Sequence, residues 1–257
     1  MDLTFSNIAI LIVVGVLAGV VNAVVGSGTL LTFPVLVALG VPPVVANATN
    51  ATGLVPGGFS AVWPYRDDVR ARWKRLWPLA LVSFIFALFG ALLVILLPPS
   101  VFIAVVPWLI GGSVVLVALQ PFLSRWVKRH ADEHGPSHAR PTPGLIAAIA
   151  GTGTYGGYFG AAQGVLLFAV LGTLDDPDTR RTNGVKNLLA TAANVAAAIV
   201  FITTGRVLWP AAIALMVGSI VGGYVGGHGA KRLPQWLFRA LIIAVGVIAA
   251  VSLFLRK

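Results

Sequence analysis

The sequence predicts an all-α polytopic membrane protein of about ten transmembrane segments, built as two inverted repeats of five with short or broken helices at the functional site. Three observations carry this. Only 10% of the 257 residues are charged, against roughly a quarter in a soluble domain. Apolar residues make up 58% of the chain and arrive in continuous blocks, such as 8–25 and 76–97, long enough to span hydrocarbon as helices. Landmark residues recur in order between the two halves. A bilayer offers exposed backbone no hydrogen-bond partners, so the choice is helices or a closed barrel. The blocks lack the period-2 alternation of a barrel strand.

The first segment is read at 7–25. Met1-Asp2-Leu3-Thr4 supplies no positive n-region and no small-residue cleavage site follows, so a retained helix is expected. Segments two to five run 29–42, 45–62, 75–97 and 100–122. Segments six to ten run 143–160, 163–174, 187–204, 207–229 and 235–255. The second and seventh fall short of the ~20 residues of a perpendicular span, and are tilted, half-length or re-entrant. The polar stretch 124–142 contains Gly135, Pro136 and Pro141. It reads as a cytoplasmic linker between a first repeat, 1–123, and a second, 143–257.

Charge orients the set. With both termini outside, fifteen of the 18 Lys and Arg residues become cytoplasmic. They are Arg66, Arg70, Arg72, Lys74 and Arg75; Arg125, Lys128, Arg129 and Arg140; Arg180, Arg181 and Lys186; and Lys231, Arg232 and Arg239. Only Arg206, Arg256 and Lys257 fall outside. The net charge of +10 therefore fits anionic headgroups, and no nucleic-acid partner is expected. The absence of cysteine excludes disulfides, thiolate metal sites and cysteine nucleophiles.

A single constant offset places Gly15 on Gly151, Gly28 on Gly164 and Asn47 on Asn183. A second, slightly smaller offset places Trp77-Pro78 on Trp209-Pro210 and Gly90 on Gly222. Five segments per half is an odd number, so the second copy is inverted, with a substrate site expected near midplane between the copies.

Two sets of candidate binding residues follow. The break between segments one and two carries Asn22, Gly26, Ser27 and Gly28, and its counterpart carries Gly160, Gln163 and Gly164. Glycines let the chain turn sharply inside the membrane. The short helices that follow then present unpaired N–H groups and positive dipole ends to an anion. The same glycines would equally serve close helix packing. The second set is Asn47, Asn50 and Thr52, matched by Asn183, Lys186 and Asn187, with Thr191 and Asn194 on the next turns. Such groups donate neutral hydrogen bonds to an oxyanion, or bond between helices. Lys186 either attracts an anion or snorkels to headgroups. Arg180 and Arg181 mark a cytoplasmic entrance.

Every acidic residue (Asp2, Asp67, Asp68, Asp132, Glu133, Asp175, Asp176 and Asp178) lies outside the apolar segments. Proton-coupled carriers usually need intramembrane carboxylates. Their absence points to an anion moving outward, downhill by ~2.3 kcal/mol per charge per 100 mV. It also argues against an integral membrane lipid-phosphate enzyme, so no catalytic residue is expected. His130, His134 and His138 are spaced by four, but Gly135 and Pro136 break any helix carrying them; no metal or other cofactor is expected. Asp175-Asp176-Pro177-Asp178 reads as a turn, and His228 as a packed interfacial side chain.

The Gly26-Ser27-Gly28 turn, followed by Pro34, Leu39-Gly40 and the run from Ala46 to Thr52, resembles the TauE/SafE sulfite exporter family. Gly160, Gly164 and Lys186-Asn187 in the second half fit the same pattern. The resemblance implies a carrier in the bacterial inner membrane that exports sulfite, sulfoacetate or a related organosulfonate by alternating access. A membrane anion channel is the alternative. The expected partners are the small anionic substrate and the lipid bilayer; a homo-oligomer is compatible with the sequence.

Overall fold

The computed structural model describes residues 4–131, 141–176, 178–229 and 235–255. The first half contains α1 (Phe5–Val24), α2 (Thr29–Ala38), α3 (Pro43–Val62), a short α4 (Arg66–Ala71), α5 (Trp73–Leu96) and α6 (Pro99–Ala131). The second contains α7 (Pro143–Tyr158), α8 (Gln163–Leu174), α9 (Thr179–Thr203), α10 (Trp209–Gly229) and α11 (Gln235–Leu255). All ten sequence segments are therefore helices, and no strand occurs among the described residues. Five helices have the length and composition of a full span: α1, α5, α6 to Arg125, α9 and α10. The short α2 and α8, of 10 and 12 residues, are those the sequence marks as too brief to cross.

The helix starts follow from local chemistry. Thr4 and Thr142 cap α1 and α7 by accepting from the N–H of Asn7 and of Leu145. Asp178 caps α9, its Oδ1 accepting from the N–H of Arg180 (2.8 Å) and Arg181 (3.0 Å). That cap starts α9 well before the apolar run at 187, so Asn183 and Lys186 lie inside the helix rather than ahead of it. At the other junction α6 continues to Ala131, through polar residues read as linker.

Helices pack mainly across the halves, and the contacts come in matched pairs. Helix α1 lies along α10, and α7 along α5. Helix α3 meets α10, and α9 meets α5; α3 also packs on α9, and α6 on α11. Ser83 of α5 donates to the carbonyl of Leu189 in α9 at 2.9 Å. Ser219 of α10 donates to Gly53 in α3, also at 2.9 Å. The offset that places Asn47 on Asn183 also places Ser83 on Ser219 and Gly53 on Leu189, so the two bonds are counterparts. A Cβ at Gly90 would stand 2.0 Å from Thr154 O, and one at Gly226 would stand 2.8 Å from Val20 O. Glycine is what lets these backbones approach. By its contacts Gly90 is matched by Gly222, where a Cβ would stand 2.0 Å from Val16 O and 2.9 Å from Val20 N. The starts of α5 and α10 pair Trp209 with Trp73 rather than Trp77.

Candidate functional site

Helix α1 ends as an α-helix must when its chain reverses: Val21 O accepts from both Val25 N (2.7 Å) and Gly26 N (3.0 Å), with Gly26 at φ 87°. Helix α7 ends in the same way, Tyr155 O accepting from Phe159 N (3.0 Å) and Gly160 N (3.1 Å), with Gly160 at φ 73°. The glycines matched by conformation are thus Gly26 and Gly160. The two turns touch. Gly164 N–H donates to Gly26 O at 3.0 Å, and a Cβ on either glycine would lie 2.4 Å from the other's Cα.

A helix that stops leaves carbonyls at its C-terminal end without amide partners. At the end of α1, Ala23 O receives Lys186 Nζ (3.1 Å) and Asn183 Nδ2 (3.3 Å), both from α9 of the other half. Asn183 Nδ2 also donates to the Tyr65 hydroxyl at 2.9 Å. At the end of α7, Tyr158 O receives Asn47 Nδ2 (2.9 Å) from α3. Each half therefore caps the broken helix of the other. Lys186 is 1% exposed, and among the described residues no carboxylate lies within ion-pair distance of it. Its ammonium faces the negative end of the α1 dipole.

The other predicted residues divide by partner. Asn50 clamps the first turn of α2, accepting from Thr32 Oγ1 and donating to Thr29 Oγ1 at 3.2 Å. Gln163 Nε2 is tucked beneath α7 on Thr152 O (3.2 Å). Asn187 donates weakly to Ala61 O at 3.4 Å, and Thr191 and Thr52 bond back to their own helices. Ser27 Oγ is buried with no partner. The N–H groups of Ser27, Gly28 and Thr29 have no backbone acceptor among the described residues. Asn22 and Asn194 are half-buried. So the structure gathers Gly26, Ser27, Gly164, Asn183 and Lys186 around the end of α1, while Asn50 and Gln163 bond to the short helices and their neighbours.

Arg180 and Arg181 are more than half exposed and face carboxylates: Arg180 lies 3.7 Å from Asp68, and Arg181 3.8 Å from Asp176. Asp176 also receives Arg72 at 3.1 Å, and Asp175 receives Arg75. Hydrogen bonds from the backbone of Arg181, and then of Arg180, hold the Asp178 carboxyl below its ordinary value against the opposing pull of desolvation. These ion pairs tie α4 and α5 to the α8–α9 connection. The residues at the corresponding positions of the opposite end, Leu39, Gly40, Leu208 and Ala211, carry no charge.

Sequence reasoning did not single out Tyr65, Thr29, Thr32 or Ser113. Ser113 Oγ donates to Ala161 O at 3.1 Å, and the Tyr155 hydroxyl meets the same carbonyl, pinning the second turn to α6. The signal for Ser113 is a hydroxyl in the middle of a segment whose other polar residues, Ser100 and Gln120, lie towards its ends. His134 and His138 lie outside the described residues, as does the side chain of His130. His228 is exposed and stacks on Tyr224, ring centroids 4.2 Å apart.

A family model described as "Sulfite exporter TauE/SafE" matches residues 11–253. The "Probable membrane transporter protein ORF9" of a Sinorhizobium species is 27% identical over 252 residues, covering 98% of this chain and 94% of that protein. The "Probable membrane transporter protein YfcA" of Escherichia coli K12 is 28% identical over 249 residues, 96% of this chain and 89% of that protein. A "Probable membrane transporter protein" of Haemophilus influenzae is 24% identical over 243 residues, 95% and 92% of the two chains. No solved structure matches.

Proposed function

The chain belongs to the TauE/SafE sulfite exporter family and is a membrane transporter, and from that premise we propose that it exports a small sulfur-containing anion by alternating access. Sulfite, sulfoacetate and related organosulfonates form the proposed substrate class. The observation that carries the reading is Lys186, buried with no carboxylate in ion-pair distance among the described residues and bonded to Ala23 O just ahead of the Gly26 turn. An ammonium has three donors, and Ala23 O meets one of them. The unpartnered Ser27 hydroxyl and the amides of 27–29 add donors at the turn that follows the end of α1. A site of donors with no acidic side chain suits a fully ionised oxyanion.

The rocking bodies are the two inverted repeats. The matched packing of α1 on α10 with α7 on α5, and of Ser83 with Ser219, supports a pseudo-twofold relation between them. The two ends are then gated by different chemistry: Arg75–Asp175 and Arg72–Asp176 close the proposed cytoplasmic end, and apolar contact around Leu39 and Leu208 closes the other. Location in the inner membrane with both termini outside belongs to the same reading and rests on the basic-residue asymmetry.

The test is flux into inside-out vesicles. Saturable uptake of sulfite or sulfoacetate, accelerated by substrate on the trans side, is expected, with acetate a poor competitor. Ohmic single-channel currents would replace the carrier by a channel. Dependence on an imposed proton gradient with no response to voltage would refute potential-driven export.

A further inference from the structure

Between α4 and α5 the chain folds a cleft of about 480 Å³ lined by Arg70, Ala71, Arg72, Trp73, Lys74 and Arg75. Four of the six carry a positive charge. Arg72 and Arg75 reach away to Asp176 and Asp175. Arg70 and Lys74 have no carboxylate within 4 Å among the described residues and are exposed. Arg72 Nη1 is bonded to Asp176. The cleft therefore presents surplus charge, on Arg70 and Lys74, that no carboxylate among the described residues satisfies.

Its position names the kind of ligand. The cleft opens where the α5 span begins. From it Trp73, Trp77, Leu81, Ile85 and Phe89 run down α5 at four-residue intervals, each between 45% and 65% exposed. Four-residue spacing puts these side chains in one row along the helix. Indoles favour the headgroup level, and the aliphatic row below them is of the kind that faces acyl chains. A free anion would use the charges alone; a phospholipid uses the charges and the row together.

We propose that the α4–α5 corner is a binding site for an anionic phospholipid, its phosphate held by Arg70 and Lys74 and one acyl chain lying along the Trp73–Phe89 row. Phosphate takes bidentate bonds from guanidinium and a point charge from Lys. A lipid with no ammonium of its own leaves these cations uncompeted. Because Arg72, bonded to Asp176, lies between Arg70 and Lys74 in the chain, the bound headgroup steadies the ion pairs that join the two halves.

The experiment uses the full chain in phosphatidylcholine bilayers with and without phosphatidylglycerol, following the melting temperature and hydrogen exchange over α4 and the start of α5. Phosphatidylglycerol should raise the melting temperature and slow exchange at this corner. The R70Q/K74Q variant should lose at least half of that shift while melting as wild type in pure phosphatidylcholine; the charge-preserving R70K/K74R variant should keep it. A shift undiminished in R70Q/K74Q, or lost equally in R70K/K74R, overturns the proposal. So does a shift reproduced in detergent by inorganic phosphate alone, which would make the corner a free-anion site.

Discussion

A lysine ammonium can donate three hydrogen bonds, and among the described residues Lys186 meets a single carbonyl, that of Ala23. Its counterpart in the first half, under the offset that pairs Asn47 with Asn183, is Asn50, a neutral amide that bonds within its own half. A Lys186→Asn exchange therefore removes charge from a position where the fold already accommodates an amide. Transport is expected to fall at least about tenfold, in line with ~1.5–3 kcal/mol for a hydrogen bond to a charged group, while melting changes little. Unaltered flux in that variant would remove Lys186 from the substrate path. Gly164→Ala tests the opposite kind of residue. Its Cβ would collide with Gly26 Cα, so a loss of about 1–3 kcal/mol in stability is expected from overpacking, read as a lower melting temperature. At this scale the sequence marked Asn47, Asn183 and Lys186 as candidates but set Asn183 and Lys186 just ahead of an apolar segment, whereas they are buried within α9. It did not reveal their acceptors, Tyr158 O and Ala23 O, because a backbone carbonyl has no residue identity to read.

Among the elements, α6 and α9 were the hardest to delimit, while α8 and α11 have the bounds read from the sequence. Residues 179–186 are polar enough to pass for a loop, yet Thr182, Asn183 and Lys186 are buried against protein rather than lipid. Hydropathy cannot distinguish those two surroundings. The short helices were legible because a glycine-bearing turn precedes each of them. Asp178 carries the start of α9, and its folded carboxyl is more acidic than in the unfolded chain. Its contribution is thus complete above the ordinary carboxylate value and is lost as pH falls through the depressed one. Asp178→Asn keeps an N-cap acceptor and should remove that part of the acid sensitivity; acid titration of melting temperature measures it. The ion-paired connection before α9 gives a second element-scale test. Asp175 is 2% exposed at its side chain, and Asp175→Asn would leave Arg75 unpaired at a cost of about 3 kcal/mol or more. In this cysteine-free chain, Leu171→Cys, fully buried beneath that connection, should then label faster with an impermeant maleimide. An unchanged rate would mean the ion pairs do not hold that end shut.

For the whole molecule, the ordered landmarks pointed to duplication, but at slightly displaced registers. Trp77 and Trp209 look alike in sequence, whereas the helix starts match Trp73 with Trp209. Repeated residue types in a glycine-rich chain slide easily past one another; repeated contacts do not. Contacts such as Ser83 to Leu189 and Ser219 to Gly53 fix the register because both members must move together. The bond from Gly164 N–H to Gly26 O joins the halves backbone to backbone at the place where their turns meet. Under the proposed alternating access it would sit where a seesaw rests on its post. Points far from the post, such as Arg75 and Asp175, would sweep wide arcs when the beam tips, while the post itself would scarcely travel. The Gly164 amide is therefore expected to exchange slowly with solvent deuterium whether or not substrate is flowing, while amides around Asp175 quicken with turnover. Rapid exchange at Gly164 during transport would mean that the beam has no fixed post there and that the halves slide rather than tip.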